Sequence, residues 1–239
     1  RVVMNIVSKD VIPAKTGTGE ADLQARYLRF DHIPFLKQGE ANGKFTTRLW
    51  SLGRGSQVAL FPNFNAADPV WRKLNRDVRF RRAISMGINR DEINESIYFG
   101  LATPSANTVL PNSGLYKADF ANAWIAHDPD QANALLDEMG LDKRDDNGVR
   151  LLPNGEPLEI TVESAGESTE ETDVLELAAA HLQDIGVKMF IRASQRDIFR
   201  RRAYSGETVM SVFNGLDNAV PSAEMSPQEL APTAQPQLQ

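Results

Sequence analysis

The clearest periodic signal lies in the second half of the chain. Val174, Leu177, Ala178, Leu182 and Ile185 recur at three- and four-residue spacing across 170–185, and Gly186 follows. That pattern predicts an amphipathic helix closed by a glycine. Short apolar, β-branched runs flank it: 157–163 before it, Val187–Ile191 after it, and 208–213 (TVMSVF) beyond a further helix at 196–204. Strand, helix, strand, helix, strand in that order predicts a sheet with crossover helices, an α/β layer architecture.

Upstream, the signals are shorter. Residues 2–7 (VVMNIV) read as a buried strand, 20–27 as a short helix and 34–41 as another, with Pro34 in its first turn. Two strand patterns follow at 45–52 and 57–65, joined by Gly53-Arg54-Gly55, and Pro62 places the second at a sheet edge or strand end. Asp68-Pro69, Asp77, Asn89 or Asp91, and Asp128-Pro129 each open a helix. The helix after Asp77 offers Val78, Phe80, Ala83 and Ile84 as its apolar face, and the one after Asp128 offers Ala132, Leu135, Leu136 and Met139. Between them, 101–116 has the Pro, Asn and Ser content of an ordered loop. Asn154-Gly155 between strand patterns at 149–152 and 157–163 is a hairpin signal. Residues 219–239 hold four prolines, no periodicity and many Gln and Ala, and read as disordered.

Composition narrows the chemistry. The 239 residues carry a net charge of −6 and no cysteine, which excludes disulfides, thiolate metal sites and a catalytic thiol. No run approaches the roughly 20 apolar residues of a membrane helix. Charge is segregated: 72–82 and 188–202 each hold six basic residues against one acid, whereas 156–184 holds nine acids and no Lys or Arg. Such blocks suit a nucleic-acid face or, more simply, solvated helix faces, and the net acidic balance favours the second reading. His32, His127 and His181 lie far apart without a ligand partner at helical spacing, and no HExxH or GxSxG occurs. The acidic turn at 142–148 lacks the carboxylates of a calcium loop at its key positions. No metal, cofactor or catalytic set is expected.

One stretch is more specific. Residues 77–104, DVRFRRAISMGINRDEINESIYFGLATP, place Arg79 to Ala83 ahead of Ile88-Asn89-Arg90, then Gly100 and Pro104. HDPDQANALLDEMGL at 127–141, Asn147-Gly148, Asn154-Gly155-Glu156-Pro157-Leu158 and HLQDIGVKMFI at 181–191 follow, and Gly19-Glu20-Ala21-Asp22 precedes. Together, in this order, these runs resemble the bacterial family 5 extracellular solute-binding proteins, the peptide- and nickel-type receptors of ABC importers. The matches span most of 17–217. Met86-Gly87 stands where the family often has a pair such as Tyr-Ala, and Asn89 replaces a common Asp; both are helix-packing positions.

The resemblance implies a periplasmic-binding-protein-like type II lobe, α/β with a mixed sheet and flanking helices. Family members are longer and two-lobed, so residues 1–52 read as the end of lobe I, 53–218 as lobe II and 219–239 as the tail. The chain begins at Arg1 without a visible signal peptide, and is expected to be processed or cut from something longer. The implied function is capture of peptides for transmembrane transport, without catalysis or cofactor, by a monomer that meets a membrane permease and ATPase and no nucleic acid. The implied location is the periplasm, or the outer surface of a cell to which the receptor is tethered. An oligosaccharide or other small solute is the alternative ligand, and a nucleic-acid-binding or scaffold module using the Arg-rich segments is the alternative class.

Loops and strand ends wall the cleft of such receptors, and two places fit. Asn63 and Asn65 form a polar break ending the strand at 57–65; their alternative role is to cap the turn before Asp68. Phe213, Asn214 and Asp217 follow the last strand. In peptide-binding relatives the similar place reads like GW.aD, and its Asp pairs with the peptide's amino terminus. Here Gly215-Leu216-Asp217 is shorter and Leu216 stands where the Trp often is, so Asp217 is either the amine ligand or a loop cap.

Overall fold

A computed structural model describes residues 2–221. Its strands are β1 (Ala59–Pro62), β2 (Glu159–Ser164), β3 (Lys188–Ala193) and β4 (Met210–Phe213). Its α-helices are α1 (Ile12–Gly17), α2 (Ile33–Gly43), α3 (Pro69–Arg76), α4 (Val78–Gly87), α5 (Arg90–Tyr98), α6 (Ala118–Ala121), α7 (Pro129–Glu138), α8 (Thr169–Asp184) and α9 (Arg196–Tyr204). The sheet order is β1-β4-β2-β3. β2 runs parallel to both β3 and β4, and β1 closes the edge antiparallel to β4. The expected β-α-β-α-β run is therefore present, and the distant β1 makes the sheet mixed.

The core sits between the sheet and α4, α5, α7 and α8. Ile160 and Val162 of β2, Leu158 before it, Leu182 of α8, Phe80 and Ala83 of α4, and Ala132 and Leu136 of α7 are all fully buried. Each large apolar side chain among them contributes about 1.5–3 kcal/mol relative to exposure. Gly87 allows the end of α4 to approach α8: an added Cβ would meet Ile185 Cδ1 at 2.7 Å. His181 ties α8 to α5, accepting from the Asn89 N–H at 3.3 Å through Nδ1 and meeting Glu92 Oε2 at 3.0 Å through Nε2.

Four expected elements differ. Residues 2–7 and 45–52 form no strand; Ile6 is 94% exposed and Trp50 77%. Their composition suits a sheet, but no strand among the described residues pairs with them, and an unpaired extended segment has no ladder to hold it. Residues 20–27 are not helical; the helix lies earlier, at α1, and Gly19 at φ 78° turns the chain away after it. The strand expected at 149–152 reduces to two isolated bridges, Arg144–Arg150 and Leu151–Pro157. Within α4, Val78 at the first helical position is largely exposed, and Phe80, Ala83, Ile84 and Met86 form the buried face. At the far end Ala219 is fully buried, whereas 222–239, most of the expected tail, lie outside the described residues.

Candidate ligand cleft

Beyond the ends of β1 and β4 the chain continues as two antiparallel segments. Gly55 N–H donates to the Leu216 carbonyl at 2.9 Å, Gly215 N–H to Ser56 at 3.0 Å and Ala219 N–H to Gly53 at 2.6 Å. A loop at 102–110 crosses beside them. Asn107 Oδ1 accepts from the Leu216 N–H at 3.0 Å, and Leu110 N–H donates to the Ala219 carbonyl at 2.7 Å. Gly215 is required at this junction: a Cβ there would stand 2.3 Å from Asn107 Oδ1 and 2.6 Å from Ser56 N.

The same elements enclose a cleft of about 580 Å³. Its walls are Leu60 of β1, Met210 of β4, Phe80 and Ile84 of α4, and Val174 and Ala178 of α8. Asn94 of α5 fixes the rim, accepting from the Ala102 N–H at 2.9 Å and donating to its carbonyl at 3.0 Å. The volume lies within the ~300–1,000 Å³ of small-molecule sites.

The residues expected to touch ligand separate into two groups. Asn63 Nδ2 donates to the Thr208 carbonyl at 2.8 Å, and its Oδ1 accepts from the Asn65 N–H at 2.9 Å. Asn65 Oδ1 accepts from Arg76 at 3.0 Å. Both thus organise the turn before Asp68, with the fully buried Asn75 donating to the Asn63 and Val209 carbonyls beneath them. Neither lines the cleft, and neither do Phe213, Asn214 and Asp217. Phe213 ends β4 opposite Ala59, half-buried. The Asn214 amide bridges the Gln57 carbonyl at 3.1 Å and Arg54 at 3.2 Å, and Asp217 is exposed just beyond the cleft's edge segment. Gly55, Asn94 and Asn107 were not singled out from sequence. Gly53-Arg54-Gly55 read there as a connector, and the 101–116 loop carried no residue of distinctive chemistry.

The ionisable groups around this region are shifted mainly by desolvation. Arg90 is half-buried, which lowers its guanidinium below the usual range, and it donates to Ser85 O at 2.7 Å and Ser85 Oγ at 2.9 Å. Burial also raises the Tyr98 phenol, which donates to Glu170 at 2.6 Å. Farther along the strand ends, desolvation pushes the Glu171 carboxyl up to about 7 against the opposing pull of the Ser164 hydroxyl.

The chain matches the bacterial extracellular solute-binding proteins, family 5 middle region, over residues 1–235. A Brucella ovis protein named for peptide binding by an ABC transporter is 29% identical over 167 residues, covering 68% of this chain and 28% of its own length. The dipeptide-binding protein of Escherichia coli is 28% identical over 154 residues, covering 64% of this chain and 26% of its own length. Among solved structures, an oligopeptide-binding protein OppA superposes with a TM-score of 0.69 and 34% identity, over 90% of this chain and 34% of that one. The chain thus spans about a third or less of the length of these relatives.

Proposed function

The chain belongs to the bacterial extracellular solute-binding proteins of family 5, and from that premise we propose that it serves peptide capture in an ABC importer's receptor. The observation that carries this reading is the coincidence of the family match with a preformed cleft beside the ends of β1 and β4. Two of its relatives are named for peptide binding, by an ABC transporter and for dipeptides. Receptors of this kind operate outside the cytoplasmic membrane, in the periplasm or tethered to the cell surface, and deliver solute to a permease and its ATPase. No helix among the described residues is long and apolar enough to cross a membrane.

In this reading Phe213, Asn214 and Asp217 meet the solute at the open end of β4. An extended peptide laid there would bring its ammonium group to the exposed Asp217 carboxylate, a charge-assisted contact that also sets its direction. Isothermal titration with trialanine and N-acetyl-trialanine tests this. Asp217→Asn is expected to weaken the free-amine peptide about tenfold or more and the acetylated one less than about twofold. Equal losses would make Asp217 a loop cap. No binding of either peptide by the parent would overturn peptide capture itself.

A further inference from the structure

Resting on that reading of the cleft, we propose that Asn107 clamps the solute's backbone: its Oδ1 holds the edge segment at Leu216 while its Nδ2 donates to a main-chain carbonyl of the bound peptide. The side chain is gripped at one end only. Oδ1 accepts from the Leu216 N–H at 3.0 Å, and two glycines close around the same oxygen. A Cβ on Gly55 would stand 2.9 Å from it, and one on Gly215 would stand closer still. Side chains at either place would push the amide off the Leu216 N–H. Three separate stretches of chain thus converge on one carboxamide oxygen.

The other end of the amide is uncommitted. Nδ2 carries two N–H donors, and among the described residues no group accepts from it. Asn107 is exposed and lines the cleft, so this end is open to a solute. Neighbouring polar side chains of the lining are spent within the chain: Ser56 Oγ donates to the Val58 carbonyl at 2.8 Å, Ser105 Oγ to Ala106 at 2.9 Å, and both ends of the Asn94 amide are held by Ala102. A planar amide fixed through Oδ1 cannot turn its Nδ2 freely. Its ordering is therefore completed on folding and costs little on binding. A fixed N–H donor without an acceptor matches the one group that every peptide bond presents, its carbonyl oxygen. Such a contact reads the backbone rather than the side chains, and is indifferent to whether the amino terminus is free.

The test is nitrogen-15 NMR of the chain titrated with N-acetyl-trialanine amide, which carries no charge and so makes no use of Asp217. The Asn107 side-chain NH2 signals should shift on binding, while those of Asn147, on an exposed turn outside the cleft lining, stay in place. Asn107→Asp keeps an oxygen for the Leu216 N–H and removes the donor. It should leave that N–H as protected from hydrogen exchange as in the parent, yet weaken the peptide about fivefold or more, the effect of one hydrogen bond left unmade. Asn147→Asp makes the same change of charge and should leave affinity within about twofold. An Asn107→Asp affinity within about twofold of the parent, or Asn107 NH2 signals that stay still while the peptide binds, would overturn the clamp and leave peptide capture intact. Should the Asp variant also release the Leu216 N–H, the parent's NH2 shifts decide alone. No binding of this peptide or of trialanine by the parent would overturn both readings.

Discussion

Two ionisable side chains show how a residue's surroundings decide what it does. Arg150 is 1% exposed, yet nothing in its neighbours along the chain announces burial. Its guanidinium is held by the Ile185 and Leu141 carbonyls, Asn133 Oδ1 and the Asp137 carboxylate, groups from α7, the segment after it and the end of α8. Such a site is illegible in sequence because its partners, two backbone carbonyls and two side chains, come from segments whose relative positions only the fold sets. Glu171 is the opposite case: its place in the first turn of α8 is legible, but its desolvation is not. Unfolded, its carboxyl releases the proton near 4.5; folded, it holds the proton to about 7. The native state therefore binds more protons between these values, and stability falls as pH rises through that window. Glu171→Gln should leave stability at pH 4 unchanged and raise it at pH 8 by about 1 kcal/mol, the full shift being discounted because the side chain is partly in water. Urea melts at the two pH values measure this, and an equal effect at both would mean the carboxyl is not desolvated.

Helix starts were the most legible elements because their determinants are local. Asp68, Asp77, Asn89 and Asp128 each accept a backbone N–H from the first turn of the helix they precede, at 2.7–3.1 Å. The apolar face of α8 was legible for the same reason, since its period is written in the helix itself. Strands at 2–7 and 45–52 failed because a strand needs a partner that its own residues do not specify. The site divided along the same line. Asn63 and Asn65 hold the turn before Asp68, with Asn63 also reaching the distant Thr208 carbonyl, whereas the cleft is assembled from β1, β4, α4, α5, α8 and one loop, and no single segment signals it. Leu182 tests the packing of α8. It is fully buried at the α8–sheet contact, so Leu182→Asp would strand a charge there and should cost at least about 3 kcal/mol. A melt within a degree or two of the parent would show that α8 does not close this core.

At the scale of the whole molecule, the segregated charge pattern could have served a polyanion, and the structure shows where that charge goes. In the first basic block, Arg76 donates to the Phe64 carbonyl and Asn65, Arg79 pairs with Asp77 at 2.7 Å, Arg81 holds the Asn75 carbonyl, and Arg82 lies over Trp124 at 4.1 Å. In the second, Lys188 pairs with Glu159, Arg202 with the 2% exposed Glu163, and Arg196 with Glu167. Glu159, Glu163 and Glu167 thus pair with much of the basic block that follows them, across adjacent strands and helices rather than along the chain. A nucleic acid would have to displace these partners, leave Glu163 buried and unpaired, and approach a chain of net charge −6. Six free cations on phosphates would give a log-affinity against log-salt slope of about −5. With Arg79, Lys188, Arg196 and Arg202 paired to carboxylates and the net charge negative, fluorescence anisotropy with a labelled duplex should show no retention at physiological salt and a slope shallower than about −2 at low salt. Tight binding with the steep slope would mean that the ion pairs open in solution. The Arg-rich segments would then be the functional surface, and solute capture would lose its electrostatic support.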